Sequence, residues 1–195
     1  MSDELLAVTA RAVCGVLGEY GPSHQHARDF SRWRVGLYRK VTLRADEKEY
    51  AAVDAFPHCE RGRIVRVFPP VQRSDRPKAL ARLQVYNAEA GDLPSRAVEA
   101  TGPTVTIVVN ADVPMSVGKL AAQVGHAAMF AKERYDADPC VLTPWHRAGY
   151  PFAIVHTGGD AWAEFRAREC AVVTDAGLTE VAGGSETCLA LPPTS

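Results

Sequence analysis

Seven consecutive residues, Thr104 to Asn110 (TVTIVVN), constrain this chain more than any other stretch. β-branched side chains suit a pleated strand better than a helical turn, and a run this apolar reads as a strand buried on both faces. Such a strand needs a layer above it and a layer below. Pro114 punctuates the turn that follows, and Ser116 is a candidate N-cap for a helix running to about Tyr135. Val117, Leu120, Ala121, Val124, Ala128 and Ala131 recur along that helix at 3.6 spacing and predict its core stripe. Further strands are expected at 152–156 (FAIVH), 170–174 (CAVVT) and 186–191 (ETCLAL), with a turn around Gly149-Tyr150-Pro151 and a short helix over 161–168. Strands alternating with helices predict an α/β sandwich with a small, largely buried sheet.

Composition narrows the class. The 195 residues fit one or two domains, and 47% hydrophobic with 23% charged residues is ordinary globular usage. No stretch approaches the ~20 apolar residues of a membrane span, and the opening Met1-Ser2-Asp3-Glu4 is too acidic for a secretory leader. Five scattered cysteines without a C-x-x-C pair predict a reduced, cytoplasmic setting. A net charge of −1 excludes a globally basic nucleic-acid binder but leaves room for a local basic face. Residues 1–100 carry 16 Lys and Arg against 13 Asp and Glu, whereas 101–195 carry 6 against 10. That shift, near Gly102-Pro103, predicts two regions, 1–100 and 101–195.

On the predicted helix, Lys119, Gln123 and His126 stand at i, i+4 and i+7 and share the face away from the stripe. Lys119 lies by the positive end of the helix dipole, an unfavourable place for a cation, and such local conflicts mark functional residues. The plain alternative is a solvated polar face for Lys119 and Gln123, with His126 as a hydrogen-bonded structural residue. Asp175 stands where a buried strand meets its turn, the place where open α/β sheets bind ligands. It is equally a turn-former ahead of Gly177.

Residues 113–128, VPMSVGKLAAQVGHAA, resemble the lysine–glutamine helix of the type II peptidyl-tRNA hydrolases, whose pattern is DLKMGKGKxAAQxxHA. Residues 175–180, DAGLTE, resemble the same family's DAGRTQ. The two motifs stand in the family's order, separated by a Trp-containing turn at Trp145, a strand and a helix, and the resemblance covers about 104–193. It implies a small mixed four-stranded sheet flanked by helices, and cleavage of the ester joining a peptide to the 3′ end of tRNA. Carried over by position, the functional Lys and Gln fall on Lys119 and Gln123, and the functional Asp and Thr on Asp175 and Thr179. In that chemistry Asp175 orients and partly deprotonates a water, and Lys119 stabilises the oxyanion or a terminal tRNA phosphate. Gln123 and Thr179 position the water and the ester. No metal or organic cofactor enters this scheme.

The chain also departs from the pattern. Ser116 and Val117 replace the first Gly-Lys pair, Leu178 replaces the arginine and Glu180 the glutamine. Two cations are thus missing, and an acid is added, where a polyanion would lie. A second reading follows: the same fold acting on a small acyl metabolite by hydrolysis, transfer or cyclisation. A third is a non-catalytic RNA- or protein-binding module.

The first half is read more loosely. Residues 4–20 are amphipathic, and Trp33 leads through Gly36-Leu37-Tyr38 into a strand-like 40–43. A helical piece near 47–55, a strand at 63–68 (RIVRVF) and a last strand at 83–86 complete the order. That order matches the second half, so one expectation is a degenerate, catalytically empty copy of the same unit without its first strand. Its rival is an unrelated helical or α+β extension. A fused copy would replace a partner subunit and give a monomer or weak dimer. Arg32, Arg34, Arg39, Lys40 and Arg44, interleaved with Trp33 and Tyr38, form either a solvated face or an RNA-contacting patch. Arg34, Arg39 and Lys40, with His126, are the candidate binding residues. His24-x-His26 and His58-Cys59 offer metal ligands but no second pair at zinc-finger spacing, so no metal site is expected. Gly183-Gly184-Ser185 reads as a hairpin turn, because no helix follows it as a phosphate loop requires.

Overall fold

In the computed structural model, which describes residues 3–21, 26–35, 40–86, 102–168 and 170–194, the β-branched run forms the expected strand with six of its seven residues buried. In chain order, helices α1 (Asp3–Tyr20) and α2 (Ala27–Val35) lead into a region of short elements. These are β1 (Leu43–Arg44), α3 (Glu47–Ala52), β2 (Cys59–Arg61), β3 (Val65–Val67), α4 (Lys78–Arg82) and β4 (Gln84–Val85). The second half runs β5 (Thr104–Asn110), α5 (Val117–Tyr135), α6 (Pro139–Arg147), β6 (Phe152–Thr157), α7 (Gly159–Arg166), β7 (Ala171–Thr174) and β8 (Glu186–Thr194).

The last four strands make one mixed sheet in the order β6-β5-β8-β7. β5 pairs parallel with β6, while β8 runs antiparallel to both β5 and β7. The C-terminal ends of β5, β6 and β7 therefore meet at one edge, where β8 begins. Alternation along β5 splits its side chains between two layers. Ile107 and Val109 join a core built from α1 and α5, while Val108 and Leu189 face Trp162 and Phe165 of α7. The result is the α/β/α sandwich that the sequence predicts.

Helix α5 begins where expected because Ser116 caps it, its hydroxyl accepting from the Lys119 N–H at 3.3 Å. All six residues of the predicted stripe are buried. α1 packs beside α5 and supplies Leu6, Ala10, Val13 and Leu17 to the same core. Residues from both sides of position 100 thus share one apolar cluster.

Three local expectations are corrected. Trp145 sits in a helix, α6, rather than a turn: Asp138 caps it by accepting from the Cys140 N–H at 2.9 Å, and Pro139 fills the first turn, where no N–H is needed. Prolines at 139 and 144 disguised it. Trp33 likewise lies in a helix, α2. The run 63–68 is not one strand. Gly62 and Arg63 both take positive φ (63° and 57°), and the Ile64 N–H donates to Arg61 O at 3.3 Å, so a primed turn folds β2 onto β3.

The described strands before residue 104 pair only as β1–β4 and β2–β3, both antiparallel. A second copy of the four-stranded order is not seen among the described residues.

Candidate active site

The ends of β5 and β7 stand on either side of β8, and the first two turns of α5 cross above them. This geometry turns the polar face of α5 inward. Gln123, which the sequence allowed to be solvated, is only 3% exposed.

Asp175 follows β7 and is the hub. Its Oδ2 accepts from Lys119 Nζ and from Gln123 Nε2, while its Oδ1 accepts from the Gly177 N–H at 2.8 Å. Turn-former and site residue are therefore one residue using two oxygens. The backbone is pinned as well: Asp175 N–H donates to Ser185 O, and Gly184 N–H donates to Asp175 O, both at 2.8 Å. Gly177 (φ 74°) and Gly184 (φ 88°) hold left-handed conformations that let the loop return within this distance.

Lys119 Nζ also donates to Thr179 Oγ1 at 2.9 Å, which closes a four-residue cluster of Lys119, Gln123, Asp175 and Thr179. An ammonium has three hydrogens, and these two bonds leave the third without a partner among the described residues. The awkward cation at the helix start is thus balanced by Asp175. Burial alone would raise the Asp175 carboxyl; hydrogen bonds from Lys119, Gly177 and Gln123 outweigh it and hold the group below the ordinary aspartate value.

Sequence reading missed Thr187. This fully buried residue of β8 sends its hydroxyl to Gln123 Oε1 at 3.0 Å, with Val173 O a second acceptor at 3.3 Å. A carboxylate only accepts and the Thr187 proton must be accepted, so both neighbours fix the Gln123 amide with Nε2 toward Asp175. Only a polar residue at an inward position of a buried strand signals it beforehand. Glu180 is a second addition: its Oε1 accepts from the Ser116 N–H at 2.9 Å, an acid at the positive end of α5.

Of the candidate binding residues, His126 and Lys40 meet. His126 lies one turn beyond Gln123, and its Nδ1 is 3.2 Å from Lys40 Nζ. Arg34 pairs instead with Glu133 at 2.8 Å. Arg39 and His24 lie outside the described residues. Among the described residues no group of three or more His, Cys, Asp or Glu is placed to hold a metal ion.

The model for the family "Peptidyl-tRNA hydrolase PTH2" matches residues 104–195, which include every member of the cluster. A peptidyl-tRNA hydrolase from Thermococcus sibiricus is 34% identical over 95 residues, an alignment covering 45% of this chain and 80% of that protein. One from Methanopyrus kandleri is 35% identical over 94 residues, with coverages of 45% and 81%. The human mitochondrial peptidyl-tRNA hydrolase 2 is 34% identical over 95 residues, an alignment covering 45% of this chain and about half, 53%, of that relative. The chain belongs to the PTH2 peptidyl-tRNA hydrolase family.

Proposed function

We propose that the chain hydrolyses the ester of peptidyl-tRNA, or of a related acyl-tRNA, and releases free tRNA. The observation that carries this reading is the hydrogen-bonded convergence of Lys119, Gln123, Asp175 and Thr179 at one sheet edge. The relatives' names favour a tRNA ester over a small acyl metabolite.

The atoms suggest the division of labour. Water adds to the ester carbonyl carbon while the third Lys119 hydrogen meets the oxyanion that develops there. Thr179, already accepting from Lys119, has its own proton free to orient the ester. Asp175 is held ionised by three donors, which makes it a weak base. Its larger contribution is to aim Lys119, Gln123 and, through its remaining lone pairs, the attacking water. As the tetrahedral species collapses, the bond to the ribose oxygen breaks. That oxygen takes up the proton released by the water, relayed by the carboxylate.

Incubation with N-acetyl-aminoacyl-tRNA should release free tRNA, and Asp175→Asn should not. Because tRNA is a polyanion, raising salt from 50 to 200 mM should lower kcat/KM, by roughly 20- to 40-fold for about three phosphate contacts. Turnover indifferent to salt would count against the tRNA substrate. Thr187→Val, nearly isosteric, removes the donor that fixes Gln123. Steady-state kinetics should show kcat lower by about tenfold with KM little changed, the cost of one misoriented buried amide. An unchanged kcat would show that Asp175 alone holds Gln123. We place the protein in the cytoplasm on its five unpaired cysteines.

A further inference from the structure

The part of the chain before residue 104 reaches the active helix. Thr42 Oγ1 donates to Gly118 O at 2.9 Å, and the Tyr86 N–H donates to Thr42 O at 2.9 Å, which ties β1 and β4 together on the first turn of α5. The Tyr86 carbonyl occupies the space that a Cβ at position 118 would fill, so the strap fits there because residue 118 is glycine. From this strap Lys40 extends along α5 to His126. Its Nζ lies 3.2 Å from His126 Nδ1, and its side chain passes where a Cβ on residue 125 would just touch it.

His126 shares a helix face with Lys119 and Gln123, one turn further on. Burial chiefly, then the cations of Lys40 and Lys119, push its imidazole down to about 3 against the opposing pull of Asp175. The ring is therefore neutral at any working pH. A neutral imidazole carries one proton, and a nitrogen facing an ammonium must accept. That leaves the proton on Nε2. No described residue bonds Nε2, and that atom is not among the buried side-chain polar atoms left without a hydrogen bond. The Nε2–H is thus left to donate outside the described residues.

We propose that Lys40 is a positioning residue of the active site, which by donating to Nδ1 holds His126 as the tautomer protonated on Nε2 and so presents a hydrogen-bond donor to the acyl-tRNA ester beside Gln123. The identity of the ligand rests on the ester-hydrolase reading; the tautomer rests on the Lys40–His126 geometry and on the neutral ring, whatever the ligand. The surroundings of Lys40 agree with a donor held in place. The Trp33 ring centroid lies 5.5 Å from Nζ, and Glu133, itself paired with Arg34, favours the ammonium. Burial is the larger influence and lowers Lys40 to about 7, with Glu133 and then Cys14 opposing. The donor is therefore an ammonium below neutral pH and loses its charge as pH rises through 7. The family-like cluster thereby gains a member that its own motifs do not contain.

Nitrogen-15 NMR of the imidazole reads the tautomer without any substrate. In the wild-type chain His126 should carry its proton on Nε2 at pH 6 and should not titrate between pH 5 and 8. Lys40→Met should introduce the Nδ1–H tautomer and raise the pH at which the ring titrates. On N-acetyl-aminoacyl-tRNA the same variant should lose about tenfold in kcat, with KM nearly unchanged. Lys40→Arg, which keeps a charged donor, should recover the tautomer and most of kcat. A wild-type His126 protonated on Nδ1, or titrating near the ordinary histidine value of about 6.5, would overturn the proposal even if the methionine variant failed to fold. So would a folded methionine variant with unaltered tautomer and kcat. Failure of the ester-hydrolase reading would look different. The wild-type chain would release no tRNA while His126 kept its Nε2 proton, upholding the role of Lys40 toward His126 and overturning the ester as its ligand.

Discussion

Asp175→Asn should lower kcat/KM on N-acetyl-aminoacyl-tRNA by at least about 100-fold, the loss of about 3 kcal/mol of transition-state stabilisation. The substitution keeps the shape of the side chain and removes one acceptor. Lys119 Nζ and Gln123 Nε2 both donate to one carboxylate oxygen, and the Gly177 N–H donates to the other. An asparagine has an NH₂ on one side, so whichever way it flips, a donor confronts a donor. Lys119 also loses its counter-charge at the positive end of α5, where the oxyanion would form. Thermal unfolding of the variant separates this loss from misfolding, because the backbone bonds of residue 175 to Ser185 and Gly184 survive the change. Turnover within a few-fold of wild type would remove Asp175 from the machinery. The pH profile carries the same information. Asp175 is held below the ordinary aspartate value, so it stays ionised as pH falls to the usual carboxylate range near 4, and its contribution is lost only below that. An acid limb at pH 5–6 would have to come from another group.

The cluster was legible because two of its residues lie on a helix of regular period and two in a short turn motif. Lys119 and Gln123 at i and i+4 must share a face whatever the tertiary fold, and Asp175-Ala176-Gly177 must turn. Sequence spacing could not show which way that face points. The inward turn of Gln123 follows from β8 lying between β5 and β7, a tertiary fact that also makes Thr187 its partner. The second half of the fold was read well for the same reason: its strands are β-branched and its long helix is capped. α6 was hidden by prolines, which in this helix occupy its first turn and a late position. In the first half, strands of two or three residues carry too few side chains for a period to show. The run 63–68 looks continuous by composition, yet the positive φ at Arg63 breaks it, and only Gly62 beside it hinted at the turn. Lys40 illustrates the limit most directly. Its place in a basic stretch suggested a surface patch, while the structure sets it against a histidine 86 positions away.

Trp145→Ala should destabilise the protein by about 3–5 kcal/mol, a large share of the 5–15 kcal/mol typical of a folded domain. At this chain length that is a fall in Tm of roughly 6–20 °C by calorimetry. Trp145 is fully buried, and its ring meets Tyr150 at 4.9 Å, Phe152 at 5.3 Å and Tyr135 at 6.3 Å between centroids, each edge to face. Removing it opens a cavity among three rings that cannot all move in, because Phe152 is held in β6 and Tyr135 ends α5. The indole N–H also donates to Pro151 O at 3.1 Å. Trp145→Phe therefore serves as a partial control, keeping most of the apolar volume and losing one bond to a carbonyl that still accepts from the Val105 N–H at 3.1 Å, and should cost about 0.5–1.5 kcal/mol for that bond. Neither variant should change kcat per folded molecule well below its Tm. Trp145 packs by the start of β6, level with Val105, whereas Asp175 and Lys119 lie beyond the opposite end of β5. A loss of kcat in a Trp145 variant that remains folded would mean that the two ends of this sheet are mechanically coupled.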